Sequence, residues 1–236
     1  MPALGAAPRT RARPHRGAPH RAIERSLRAA GGSGGKTLGA AKRGNVKKVE
    51  RSELLGLGEY EGIRPHFRGR MIEAKKRRRI SVGPHMTFVF ENHDTVLLQI
   101  QEMLRTERIT ADKAIAHEVD TYNELVPEDG ELSATLMIEY DDPAERSAAL
   151  DALANVGEHM AIAIGDDHYP ARFRPLPGEE EGRLPAVNYL SFTPGRGNAE
   201  ALRSGPARLV VTHPAYGYEA ELGGAARSEL ADDLEG

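Results

Sequence analysis

Charged side chains that fall on the apolar line of a helix are the residues here best placed to do chemistry. In the segment 64–79, Phe67, Met71 and Ala74 stand at i, i+4 and i+7, and Arg78 continues that line. The next helical segment, about 94–108, has a stripe of Val96, Ile100, Met103 and Leu104, and at 100° per residue Glu107 projects within about 20° of its centre. In a third segment, about 111–125, Glu118 flanks the face of Ile115, Val119 and Tyr122, while His117 points to the far side. An inward guanidinium and two inward carboxylates make Arg78, Glu107, Glu118 and Tyr122 a candidate polar cluster where helices meet. Buried charges cost several kcal/mol each unless they are paired. The cluster therefore reads either as a structural salt-bridge network or as a site for a small anion or a divalent cation. Two carboxylates with a nearby donor can hold Mg²⁺ or Mn²⁺ with water, and like charges that share a site raise one carboxyl toward acid–base range. Arg64, Arg68 and Lys75 form a second candidate, a local anion-binding patch.

Other chemistries find less support. The chain has no cysteine, which removes disulfides, Cys-ligated zinc, iron–sulfur clusters and thiol nucleophiles together. A di-iron bundle wants Glu-x-x-His repeats, and His117-Glu118 are adjacent instead. The run from Ala30 to Thr37 fits a relaxed phosphate-loop pattern, but its flanks are charged or Gly/Ala-rich where a buried strand and a helix are required. The cations of Lys75–Arg79 sit in the last turn of a helix, where they favour its dipole, and no aromatic interleaves them for base stacking. His213 follows a strand and reads as hydrogen-bonded structure. No cofactor motif, metal-ligand spacing or complete catalytic constellation emerges.

The elements that must position these residues change character along the chain. The helix at 64–79 opens with Pro65 in the first helical position, and Gly83-Pro84 then breaks the chain. Thr87–Glu91 reads as a short strand. Asp94 is the expected N-cap of the second helix, and Pro127 with Gly130 ends the helical hairpin. Leu132–Tyr140 alternates clearly, with Leu132, Ala134, Leu136, Ile138 and Tyr140 facing one way. Asp142-Pro143-Ala144-Glu145 opens another helix with a cap, a first-turn proline and a reciprocal glutamate. Further strands are expected at about 159–164, 187–192 and 208–213, with an acidic Pro/Gly-rich loop at 174–185 and a short, frayed helix near 225–234. Helices come early and strands late, without strict alternation. The expected fold is α+β, a helical N-terminal half packed on a mainly antiparallel sheet in a single domain.

The net charge of −3 is a cancellation. Residues 1–50 hold 12 Lys/Arg and 2 Asp/Glu, and the remainder holds 20 and 33. The first 45 residues, rich in Arg, Ala, Gly and Pro, lack the apolar content for a core and read as a disordered basic leader. Such a leader fits a mis-assigned upstream start, and it also has the charge of a nucleic-acid-binding arm. The folded part, 46–224 with a helix or tail at 225–236, is acidic and a poor nucleic-acid partner. No apolar run approaches 18 residues, so no membrane span is expected, and the location expected is cytoplasmic.

Many short motifs recur together. Glu59-Tyr60-Glu61, Ile63-Arg64-Pro65, Phe67-Arg68, Lys75-Lys76-Arg77-Arg78, Phe90-Glu91-Asn92, Asp94-Thr95-Val96, Gln99 through Leu104, Glu107-Arg108, Tyr122-Asn123, Glu131 through Leu136 and His213-Pro214 stand in this order. Over about 46–216 the chain resembles the bacterial family catalogued as domain of unknown function 3501. His93 stands where the family pattern carries Arg, and the basic leader is a second departure. The resemblance implies no established activity. It implies a neighbourhood, since such proteins are often encoded beside a rubrerythrin-like protein and an iron–sulfur oxidoreductase subunit. The function expected from it is that of a cytosolic, non-catalytic accessory protein that binds such a redox partner. The alternative is a metal- or anion-dependent enzyme or ligand-binding protein using the inward Arg/Glu cluster.

Overall fold

The structure is a computed structural model and describes residues 47–174 and 184–236. The basic leader, its phosphate-loop-like run and most of the acidic Pro/Gly-rich loop lie outside the described residues. Fifteen elements of regular structure matter here. Helix α1 (Leu57–Arg78) leads into the hairpin β1 (Arg79–Val82) and β2 (Met86–Glu91). Helices α2 (His93–Thr106) and α3 (Asp112–Asn123) precede β3 (Leu132–Ile138) and α4 (Pro143–Ala152). Strands β4 (Met160–Ile164), β5 (Asp167–Pro170), β6 (Arg172–Phe173) and β7 (Val187–Phe192) follow. The chain ends in α5 (Ala199–Ser204), β8 (Ala207–His213), β9 (Tyr216–Glu221) and α6 (Gly224–Glu235).

The strands form two sheets rather than the one expected. The larger has the order β1-β2-β3-β7-β6, the smaller β5-β4-β8-β9. Every pairing in them is antiparallel, and with the helices they make an α+β domain. Because successive side chains of a strand point to opposite faces, the larger sheet serves two cores. Phe88, Phe90, Leu136, Leu190 and Phe192 pack with Ile162 and Leu209 of the smaller sheet and with Leu230 and Leu234 of α6. The other face carries Val89, Met137, Val187 and Tyr189 against Val96 and Ile100 of α2 and Ile115 and Val119 of α3. All positions of β2, β3 and β7 are therefore buried, polar ones included.

Two helices depart from expectation. Helix α1 begins at Leu57, seven residues early, so Pro65 lies inside it. Gly58, Gly62, Gly69 and Pro65 together disfavour this helix by about 6 kcal/mol relative to alanine, and tertiary contacts must offset that cost. Helix α6 is not a frayed tail. Leu230, Ala231, Asp233 and Leu234 are fully buried, so the helix is part of the core rather than an appendage to a domain ending at 224. At the second helix Asn92, not Asp94, is the N-cap: its side chain accepts from the Thr95 N–H while the Thr95 hydroxyl accepts from the Asn92 N–H. Asp142 caps α4 as expected.

One tyrosine clasps the two sheets. The Tyr216 hydroxyl on β9 accepts from the N–H groups of His85 and Met86, at 2.8 and 3.1 Å, and donates to the Val82 carbonyl at 2.7 Å. The turn it grips contains Gly83 at φ +65°, where a Cβ would lie 2.6 Å from the Tyr218 ring and 2.7 Å from the Tyr216 hydroxyl. Only glycine fits there. Removing the hydroxyl with Tyr216→Phe leaves two backbone donors and one acceptor unsatisfied, and should cost about 2–4 kcal/mol in urea unfolding.

Candidate functional site on the inner face of the first helix

Helix α1 directs Tyr60, Arg64, Arg68, Met71, Lys75 and Arg78 inward at spacings of three and four residues, a single face of a 3.6-residue helix. Cations on an inner face require partners, and three separate elements supply them to Arg64, Lys75 and Arg78. Glu102 of α2 accepts two bonds from Arg64, Nε to Oε1 at 2.7 Å and Nη2 to Oε2 at 2.9 Å, and one from the Tyr60 hydroxyl at 2.6 Å. Burial works to raise the Glu102 carboxyl, but Arg64 and Tyr60 outweigh it and hold it below the ordinary carboxylate range. Burial and the adjacent carboxylate push the Tyr60 hydroxyl well above a normal phenol.

At the far end, Arg78 meets Asp233 of α6 in a two-pronged pair, Nη1 to Oδ2 at 2.5 Å and Nη2 to Oδ1 at 2.8 Å, with Glu229 at 3.3 Å from Nη2. Arg78 is 2% exposed and Asp233 1%. Burial opposes the charge on Arg78, yet the Asp233 and Glu229 carboxylates prevail and keep it protonated. Between these ends, Lys75 Nζ stands 3.9 Å from Oε2 of Glu91, the last residue of β2, whose Oε1 accepts from the Thr135 hydroxyl at 2.7 Å.

The candidate residues are thus redistributed. Arg78 follows the buried line as expected but does not meet Glu107 or Glu118. Arg64 and Arg78 are fourteen residues apart, about 21 Å of helix, and the C-terminal end of α2 lies at the Arg64 end, where Glu102 binds. Glu107 sits past the last residue of α2 as its C-cap and is exposed, so the 100° projection no longer applies to it. Glu118 is half-buried on α3, and the buried Tyr122, four residues on, feels both Glu118 and Glu107. Burial first, then those two carboxylates, push the Tyr122 hydroxyl up, and it makes no hydrogen bond. In the expected anion patch, Arg64 is committed to Glu102, whereas Arg68 is half-buried and reaches Glu102 only through its field.

Every cation of the basic run has a carboxylate in the chain: Lys75 with Glu91, Lys76 with Glu73, Arg77 with Glu229, Arg78 with Asp233 and Arg79 with Glu139. That neutralisation removes the excess charge that phosphate binding by the run would need. His213 is tied at both nitrogens. Nδ1 accepts from the Ala215 N–H at 3.1 Å, which makes Nε2 the donor to Asn155 Oδ1 at 2.9 Å. Burial, then the neighbouring His159, depress its pKa, as suits a neutral structural imidazole. Among the described residues no group of three or more His, Cys, Asp or Glu is arranged to hold a metal ion.

Sequence reasoning missed Glu102, Glu91 and Asp233. Asp233 left a signal, because it interrupts the apolar line of Ala226, Leu230 and Leu234 in α6. His93 is a further buried charge, with Nδ1 3.1 Å from Asp94 and Nε2 3.2 Å from Glu53. The hydrogen bond to Asp94 raises its pKa most, and Glu53 adds to this against the effect of burial. A raised folded pKa stabilises the protein fully below the unfolded value near pH 6.5, and the gain fades as pH climbs through the folded value. His93→Gln should therefore flatten the fall in stability that begins above about pH 6.5, read from urea midpoints across pH. Arg78→Met should cost about 3–5 kcal/mol by stranding Asp233, whereas pairing it with Asp233→Leu should restore most of the loss, measured in the same assay.

The geometry can be set beside known proteins. A solved structure described as a novel protein of unknown function from Burkholderia pseudomallei K96243 is 32% identical, covers 80% of this chain and all of its own, and superposes with a TM-score of 0.74. No curated protein matches. The family described as protein of unknown function (DUF3501) matches residues 48–234, the span that includes α1, its three carboxylate partners and the buried C-terminal helix. The chain belongs to that family.

Proposed function

We propose that this protein is a cytosolic accessory protein, without catalysis of its own, that docks onto a redox protein of the rubrerythrin-like or iron–sulfur class. The class of partner is the one implied by the family resemblance. The observation that carries the docking is how the entry to α1 displays apolar side chains. The backbone of Leu55 is clamped at both groups by Gln101, its N–H donating to Oε1 at 2.9 Å and its carbonyl accepting from Nε2 at 3.0 Å. The Leu55 side chain is nevertheless 36% exposed. Ile63, six residues into α1 and about 9 Å along its axis, is 46% exposed. Leucine and isoleucine side chains left in water forgo the gain that a covering partner would bring. No helix among the described residues is long and apolar enough to cross a membrane, so a bilayer span does not account for them. A metal- or anion-dependent activity finds support only on the anion side, in the half-buried Arg68.

Capture from the source cell with the full tagged chain should recover a rubrerythrin-like or iron–sulfur protein in stoichiometric amount. Ile63→Glu should abolish that recovery without lowering the melting temperature. Equal recovery with the variant, or a bait that returns alone, would remove the proposal.

A further inference from the structure

The turn between β8 and β9, which delivers Tyr216 to the clasp, has a backbone poorly suited to a hairpin. It joins His213 to its cross-strand partner Tyr216 through two residues, Pro214 and Ala215. Two-residue hairpins favour turns with positive φ at the first central position, because those match the twist of the strands. Proline cannot adopt that φ, and Ala215 does not lie at positive φ either. The His213 side chain supplies the missing hold: its Nδ1 accepts from the Ala215 N–H at 3.1 Å, as an Asx side chain does in a turn. A directed chain of hydrogen bonds continues from there. A backbone N–H can only donate, so His213 Nδ1 is unprotonated and Nε2 carries the hydrogen given to Asn155 Oδ1 at 2.9 Å. Asn155 Nδ2 in turn donates to His159 Nε2 at 3.3 Å. Both imidazoles are thus held neutral, their rings edge to face with centroids 5.1 Å apart. A further proton on His213 has only Nδ1 to enter, where its N–H would face the N–H of Ala215.

We propose that the β8–β9 turn is a proton-operated latch between the two sheets. Protonation of His213 expels the Ala215 N–H, the turn loosens, and Tyr216 at its end releases the backbone of Val82, His85 and Met86. No carboxylate among the described residues offsets the added charge. His159 faces His213 from the short helical turn before β4 and opposes its protonation, and Tyr216 faces it from β9 as a neutral phenol. Asp151 and Glu158, on the segment that carries Asn155, are exposed and do not act on it. Burial and His159 hold the His213 pKa below the usual imidazole value. Its contribution to stability is therefore complete above about pH 6.5 and is lost as pH falls through the folded value. The sign is opposite to that of His93, so a local measurement is needed to separate the two. The latch does not involve Leu55 or Ile63, and the failure of either proposal leaves the other standing.

The test is proton NMR of the His213 ring together with amide hydrogen exchange, on the full chain between about pH 7.5 and about pH 4.5. As His213 titrates, protection at Ala215, His85 and Met86 should fall together by at least about tenfold, after correction for intrinsic exchange, while Ile100 of α2 keeps its protection. His213→Asn retains an acceptor for the Ala215 N–H without a titrating ring, and should hold protection level across the range. If that variant fails to fold, the titration of the natural chain decides, repeated in His93→Gln to remove the other buried histidine. A His213 ring that stays neutral to about pH 4.5, loss at Ala215 without loss at His85 and Met86, equal loss at Ile100, or the same pH dependence in His213→Asn would each overturn the proposal.

Discussion

The pair between Arg78 and Asp233 joins residues 155 positions apart and ties the first helix of the described fold to the last. Its importance follows from what α1 lacks. Three glycines and an internal proline leave that helix little reason to form alone, and only Tyr60 and Met71 among its apolar residues are buried. Ion pairs take the place of an apolar stripe. They fix α1 against α2 through Glu102, against the sheet through Glu91 and against α6 through Asp233. A buried pair of this kind gains little over a well-packed apolar contact, but losing one partner is severe. The consequence is orientation, because a two-pronged guanidinium–carboxylate contact accepts a much narrower geometry than leucine against leucine.

The double burial of the larger sheet sets the second constraint. With the smaller sheet on one face and α2 and α3 on the other, its central strands have no solvent side on which to place polar residues. Thr87, Glu91, Ser133, Thr135 and Ser191 are consequently buried on the helical side. Thr87 donates to Glu139 and Thr135 to Glu91, so part of this polarity is satisfied internally. Glu91 lies where α1 meets β2, and there Lys75 of α1 faces its second carboxylate oxygen at 3.9 Å.

How far the sequence carried the fold can be judged from particular elements. The period-two run of β3 and the Asp142-Pro143 opening of α4 were plain, because local chemistry alone specifies them. Strands β1, β5, β6 and β9 were not anticipated, and the single expected sheet became two. Asp167–Pro170 and Tyr216–Glu221 are polar edge strands whose pairing comes from neighbours rather than from their own pattern. The start of α1 was misplaced for the same reason: Pro65 reads locally as a helix opening, and only long-range ion pairs extend the helix back to Leu57. At the site, Arg78 was legible as an inward charge because it continues an apolar line. Its partner was not, since periodicity orders residues within a helix and says nothing about which of two distant carboxylates will face it.

The charge balance along α1 separates network from site more sharply than any single contact. Arg64, Lys75 and Arg78 each face one buried carboxylate, which is what a structural network needs. His93 fits the same logic. It stands between Glu53 and Asp94, and protonation lets it serve as the cation that two carboxylates demand. Arg68 has no such counterpart. It adds positive charge to a half-buried face, acts on Glu102 only at a distance, and forms no hydrogen bond among the described residues. Ordering such a side chain carries an entropic and desolvation cost, offset among the described residues only by its field at Glu102. A network selected only for rigidity would place a neutral or apolar residue at that turn, as it does with Met71 one turn further on.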